Sequence, residues 1–208
     1  MEQKIHGIFP TPVFVVKRDT NLSPKEEKEV RKIIEKEGMY KETGNSQSNN
    51  SYIFNGKLKN IKQFCEEQLN IYVKEVINPK EELDFYITQS WLNITKPGEY
   101  HHQHSHQNSI ISGVFYISTE EDDKITVTDP NAKLKELIKF EKKEFNIWNS
   151  GSWSFPSVTN ELMLFPSWLG HRVDTNEKAT TDRISISFNT FVRGTLGIRN
   201  DLTELILK

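Results

Sequence analysis

Hydrophobic positions recur with one spacing before residue 84 and with another after it. In the first part, Ile8 to Val16 reads as a short strand interrupted by Pro10 and Pro12, which suits a sheet edge because proline has no N–H for a ladder. Ser23-Pro24-Lys25-Glu26 is a capping box with proline at the first helical position, and Val30, Ile33 and Ile34 continue it as an apolar stripe. A second helix is predicted by Leu58, Ile61, Phe64, Cys65, Leu69, Tyr72, Val73 and Val76, which stay on one face until Asn78-Pro79 ends it. Lys41 to Ser51, between the two helices, reads as a polar loop.

From Asp84 the period becomes two. Phe85, Ile87, Gln89 and Trp91 alternate with Tyr86, Thr88, Ser90 and Leu92, and Lys96-Pro97-Gly98 makes a turn. Further strands are predicted at Glu99 to His106, Ile110 to Ser118, Lys124 to Asp129, Glu161 to Phe165, His171 to Asp174 and Arg183 to Val192. Asn131 to Asn149 is rich in Lys and Glu, with Leu134, Leu137 and Ile138 at helical spacing, and reads as an insertion on the rim. Many short strands predict a mostly β barrel or sandwich with flanking helices. The chain of 208 residues suits one domain: a strand and supporting helices over 1–83, a β core over 84–192 with an insertion at about 131–149, and a tail over 193–208. The apolar tail Leu202 to Leu207 either docks back onto its own chain or packs on a second copy, which leaves a homodimer open.

Composition narrows the partners. With 27 Lys and Arg against 29 Asp and Glu, there is no cationic excess to hold a nucleic acid by its phosphates. Cys65 stands alone and cannot form an intrachain disulfide, and the first residues show no signal-like apolar stretch, so a cytoplasmic protein is expected. No apolar run is long enough to span a bilayer.

The chemistry concentrates in Tyr100-His101-His102-Gln103-His104-Ser105-His106. In an extended segment, His102, His104 and His106 share one face while His101 and Gln103 take the other. Two of the three could join His171, which follows the apolar strand Leu162 to Phe165 and a turn, around one metal ion. Neutral imidazoles suit iron, copper, nickel and zinc, and open positions on such a site suit an iron that binds oxygen and a co-substrate. A histidine-rich surface turn is the plainer alternative. Arg183 arrives 12 residues after His171, and its planar fork can clamp a carboxylate, with Ser185 on the same side of the strand to add a hydroxyl. The competing role for Arg183 is an ordinary ion pair with Asp182 or Glu177.

His104-Ser105-His106-Gln107-Asn108-Ser109, Ser112-Gly113-Val114-Phe115-Tyr116 and Leu164-Phe165-Pro166-Ser167-Trp168-Leu169-Gly170-His171, followed by Arg183-Ile184-Ser185, resemble the iron(II)- and 2-oxoglutarate-dependent oxygenase superfamily, in particular a branch found in phages and bacteria. The resemblance implies a double-stranded β-helix, a jelly roll of cupin type, braced by the N-terminal helices. It implies Fe(II) as cofactor and 2-oxoglutarate as co-substrate, with His104 and His171 as iron ligands, Arg183 with Ser185 on the far carboxylate, and Tyr116 as a further donor to it. It also implies a hydroxylase acting on a small molecule or a protein side chain, in the host cytoplasm for a phage-encoded chain. One departure matters: the superfamily usually places a carboxylate two residues after the first histidine, and His106 stands there. His106 either replaces it as a ligand or leaves the position to Glu99, Asp129, another carboxylate of the fold or water, and a register using His102 and His104 remains open. A cupin-like metalloenzyme that ignores 2-oxoglutarate, and a non-catalytic phage-associated module on the same fold, are the alternatives.

Overall fold

The computed structural model describes residues 2–135 and 138–208. Leu137 of the predicted rim insertion lies outside them, and nearby a short helix, α3, spans Ala132–Lys135. The capping box closes as expected: the Ser23 hydroxyl accepts from the Glu26 amide while the Glu26 carboxylate accepts from the Ser23 amide at 2.7 Å, starting helix α1 (Pro24–Lys32). Helix α2 (Lys59–Tyr72) runs on through one π-helical turn and stops at Asn78, which adopts a left-handed φ of 47° before Pro79. Among the described residues no helix is long and apolar enough to cross a membrane.

Two antiparallel sheets build a double-stranded β-helix. The larger is ordered β1 (Phe14–Lys17), β9 (Glu161–Pro166), β6 (Ile111–Ser118), β11 (Arg183–Leu196), β4 (Asp84–Thr95), β3 (Ser46–Ser48), β2 (Met39–Lys41), and β12 (Leu205–Leu207) pairs with the far end of β11. The smaller is ordered β5 (His101–His104), β10 (His171–Val173), β7 (Lys124–Thr128), β8 (Ser152–Pro156). Both faces of the larger sheet are covered, so β6 and β9 are apolar almost throughout. Outward, Phe115, Leu162, Leu164, Ile186 and Phe188 pack with Ile61, Cys65 and Leu69 of α2 in one core. Inward, Val114, Tyr116, Met163 and Phe165 meet Ile125 and Val127 of the smaller sheet in a second core. Gly113 lies opposite Phe188 across β6 and β11, where a Cβ would run into the Phe188 ring, so this strand position has room only for glycine.

Several sequence expectations are corrected. The segment Lys41 to Ser51 is a loop only in part: Lys41 ends β2 and Ser46–Ser48 form β3, a hairpin turned through Gly44 at φ 97°. It lengthens one sheet edge and is half exposed, so its residues carry no apolar alternation to read. The strand expected over Ile8 to Val16 forms only from Phe14, on the sheet edge and beyond both prolines. In β4 the alternation changes parity: Phe188 faces Ser90 but Thr190 faces Ile87, so β4 carries an extra residue, and Trp91 points opposite to Phe85 and Ile87. The C-terminal tail turns back onto β11.

Candidate active site

The inward residues of the larger sheet line a narrow cleft that opens to solvent. Register fixes who faces whom: Arg183 lies opposite Thr95, Ser185 opposite Asn93 and Tyr116, and Ser187 opposite Trp91 and Val114. His104 and His171 come from the smaller sheet, where they are direct cross-strand partners on β5 and β10. His106, just past β5, reaches to the larger sheet, where its Nδ1 lies 2.7 Å from both Ser112 Oγ and Asn189 Oδ1.

His104, His106 and His171 are brought together, each offering a ligand nitrogen within 4.8 Å of the others. Their ring centres lie 5.1, 4.3 and 5.1 Å apart. Each Nδ1 is already committed: that of His104 donates to the His102 carbonyl at 2.8 Å, that of His171 to the Leu169 carbonyl at 2.9 Å, and that of His106 faces the Asn189 amide oxygen. A carbonyl can only accept, so the Nδ1 nitrogens carry the protons and each Nε2 is left as a bare lone pair, the state a metal requires. Burial drives the same outcome. It pushes His171 down to about 3 and His106 down to about 4, helped by the neighbouring His104 ring, and it lowers His104 as well.

The expected alternation in the histidine run is overturned. His171 pairs with His104 but Val173 pairs with His101, so β5 carries one extra residue, a bulge that turns His101 into the cleft and leaves His102 exposed. His101 is thus a lining residue that the sequence reading placed on the wrong face, and no local signal marks the bulge. Neither alternative carboxylate joins the site: Glu99 pairs with Lys41 and caps the Lys96 amide, while Asp129 accepts from the Asn131 amide. Among the described lining residues there is no Asp or Glu. Of the larger aromatic residues, Trp91 lines the cleft, Phe115 belongs to the outer core, and Trp148, Trp153 and Trp168 are exposed.

Arg183 is buried at 6% exposure. Its Nη1 donates to the Lys124 carbonyl at 3.2 Å and its head group lies 5.2 Å from the Tyr116 ring centre. Among the described residues no carboxylate pairs with it, which disposes of the ion pair with Asp182 or Glu177. A buried guanidinium without a counter-charge is costly, and an anionic ligand relieves that cost. Tyr116, buried beside it, has a hydroxyl that lies near Ser157 and Arg183 but forms no hydrogen bond of good geometry, and burial raises its pKa. Trp91 Nε1, Asn93 Oδ1 and both amide atoms of Asn45 are likewise buried and unpartnered on the cleft wall. Buried polar atoms in native structures almost always have partners. The orphans, the free cation and the three bare imidazoles therefore fit a metal ion with a small dicarboxylate beside it.

The comparisons agree with that fit. Residues 89–189 match the family model described as "Putative 2OG-Fe(II) oxygenase". No curated protein matches the chain. Among solved structures, the chain is similar to a prolyl-4-hydroxylase of Pseudomonas putida at 16% identity and TM-score 0.56, covering 88% of this chain and 94% of that one. It is also similar to HygX of Streptomyces hygroscopicus with nickel, 2-oxoglutarate and hygromycin B bound, at 10% identity and TM-score 0.54, covering 86% and 82%. A third is the prolyl hydroxylase in complex with a hypoxia inducible factor peptide fragment from Trichoplax adhaerens, at 11% identity and TM-score 0.58, covering 86% and 83%. At these identities the likeness is one of fold, the jelly roll. The matched segment, residues 89–189, contains every histidine of the site and the Arg183–Ser185 pair, so the part of the chain that carries the site is similar to the iron(II)- and 2-oxoglutarate-dependent oxygenases, a superfamily of oxidoreductases.

Proposed function

We propose that this protein is a hydroxylase in which His104, His106 and His171 hold iron(II), while Arg183, Ser185 and Tyr116 hold the far carboxylate of 2-oxoglutarate. The observation that carries it is one cleft containing three imidazoles, each with Nδ1 engaged and Nε2 bare, and a buried arginine with no carboxylate partner among the described residues. The substrate is a small molecule or a protein side chain entering from the solvent side. The oxygenase domain covers 1–208, with 84–192 as its β-helix, and works in the cytoplasm, where the buried single thiol of Cys65 stays reduced.

Iron(II) with 2-oxoglutarate supplies the activation of dioxygen that hydroxylates a C–H bond while the keto acid becomes succinate and carbon dioxide. The residues of the chain do the positioning. Arg183 offers a two-pronged charge-assisted clamp that fixes how far the keto acid enters, and the Tyr116 and Ser185 hydroxyls add donors to the same carboxylate. Ser112 and Asn189 hold the His106 ring at its angle, and the backbone carbonyls of residues 102 and 169 do the same for His104 and His171. Val114, Ile125 and Phe165 wall the cleft with apolar surface and keep bulk water from its floor. Three neutral ligands leave the metal its full double charge, which strengthens its hold on an anionic co-substrate.

The test is an anaerobic titration with iron(II) and then 2-oxoglutarate, followed by oxygen and a succinate assay, on the parent, His171→Ala and Arg183→Ala. The first variant loses iron, and the second keeps iron but weakens the keto acid. Parent-like binding of both ligands by both variants overturns the assignment, and substrate oxidation without succinate identifies a metalloenzyme that does not use 2-oxoglutarate.

A further inference from the structure

The bulge in β5 does more than turn His101 inward. It gathers His101, His102 and His104 into a second triad, each offering a ligand nitrogen within 4.8 Å of the others. Their ring centres are 5.1, 4.4 and 5.3 Å apart. A metal bound about 2 Å from each ring nitrogen puts ring centres about 3 Å from the ion and, at tetrahedral or octahedral angles, about 4.5–5 Å from one another. The second triad meets that geometry as closely as the inner one. Among the described residues neither the His101 nor the His102 ring makes a hydrogen bond, and His102 is exposed, so the triad faces incoming ions.

We propose that His101, His102 and His104 form an outer metal position on the solvent side of the cleft, and that it competes with the inner position for His104. Its ligand class is a divalent cation that favours nitrogen, of the zinc, nickel or copper kind, because three neutral imidazoles with no carboxylate hold magnesium or calcium poorly. The competition follows from His104 itself: Nδ1 donates to the His102 carbonyl, so Nε2 is the one nitrogen it can give, and a ring cannot serve two ions through it. This exclusion rests on the inner iron site proposed above, whereas the outer triad stands on its own geometry. A late transition metal at the outer position thereby withdraws His104 from iron, and the chain becomes sensitive to the metals around it.

Cobalt(II), followed by visible absorption and by dialysis with metal analysis, tests this on the full chain. The parent takes up one equivalent. A variant without inner ligands, His106→Asn with His171→Gln, still takes up one equivalent, about 10–100-fold more weakly, and adding His102→Ala lowers its affinity by a further factor of about 10 or more. No uptake by a double variant that circular dichroism shows to be folded, or uptake indifferent to His102→Ala, overturns the outer position, and two equivalents on the parent overturn the exclusion. Parent-like affinity in the double variant instead sinks the inner site, which separates the two failures. Should the double variant not fold, His106→Asn alone, with and without His102→Ala, gives the same comparison.

Discussion

The two faces of the larger sheet are built from the same strands yet carry different populations of side chains. Along β11 the outward residues Ile184, Ile186 and Phe188 pack under the helices, while the inward residues Arg183, Ser185, Ser187 and Asn189 line or support the cleft. Along β4 the same division sets Leu92 and Ile94 against Trp91 and Asn93. The outward face is an apolar core, closely packed to the point that Gly113 has to be glycine. The inward face holds a buried cation, bare imidazoles and unpartnered amides, each of which costs stability in the absence of a ligand. On β4 and β11 one side of the strand therefore folds the protein, and the other side concentrates the polar groups that a ligand completes, while β6 and β9 turn apolar residues both ways. Alternation at a period of two allows both on a single element.

The difference can be broken most forcefully from outside. Phe188→Ala empties a fully buried outward site and lowers the unfolding free energy by about 3–5 kcal/mol in a denaturant titration, with the iron affinity of the folded fraction retained. From inside, Arg183→Met should do the reverse: 2-oxoglutarate affinity falls roughly 100-fold by calorimetry, because charge-assisted hydrogen bonds worth about 1.5–3 kcal/mol each are lost. The melting temperature of the ligand-free protein meanwhile stays level or rises, since an uncompensated buried charge has gone. A fall in melting temperature to match Phe188→Ala would show that the inward face is structural after all. Asn189→Ala, which removes one of the two partners of the His106 Nδ1 and leaves the proposed ligands themselves in place, lowers iron affinity by about 10–100-fold in a competitive chelator assay.

The mildest probe is pH. His171 and His106 are held neutral down to about 3 and about 4, whereas in the unfolded chain they take up protons near their ordinary value of 6.5. Below that value the unfolded state binds more protons than the folded one, so the stability of the metal-free protein is flat above about pH 7 and declines as pH falls from 6.5 towards 3. Melting curves across that window measure it, and His171→Phe should flatten the slope.

Much of this was readable beforehand. The capping box at Ser23, the stripe of α2 and the alternation of β11 are local patterns, and local patterns follow from chain geometry over a few residues. The grouping of His104, His106 and His171 with Arg183 was also legible, because residue types with so narrow a chemistry recur at strand spacing on segments that a jelly roll brings together. The hairpin at Met39–Ser48 was hidden by its exposure, and the polar wall of Asn45, Trp91 and Asn93 by its ordinary residues.

The sequence alone determined a mostly β chain with helices ahead of it and a grouping of histidines with Arg183, since each depends on residue identity and on periods of two or 3.6. Tertiary structure alone decided which histidines face the cleft, because the extra residues in β4 and β5 reverse the parity of a strand, and a bulge arises from pairing between distant segments. It also decided that Arg183 is buried without a carboxylate partner among the described residues, since neighbours in sequence such as Asp182 are carried away from it by the strand itself.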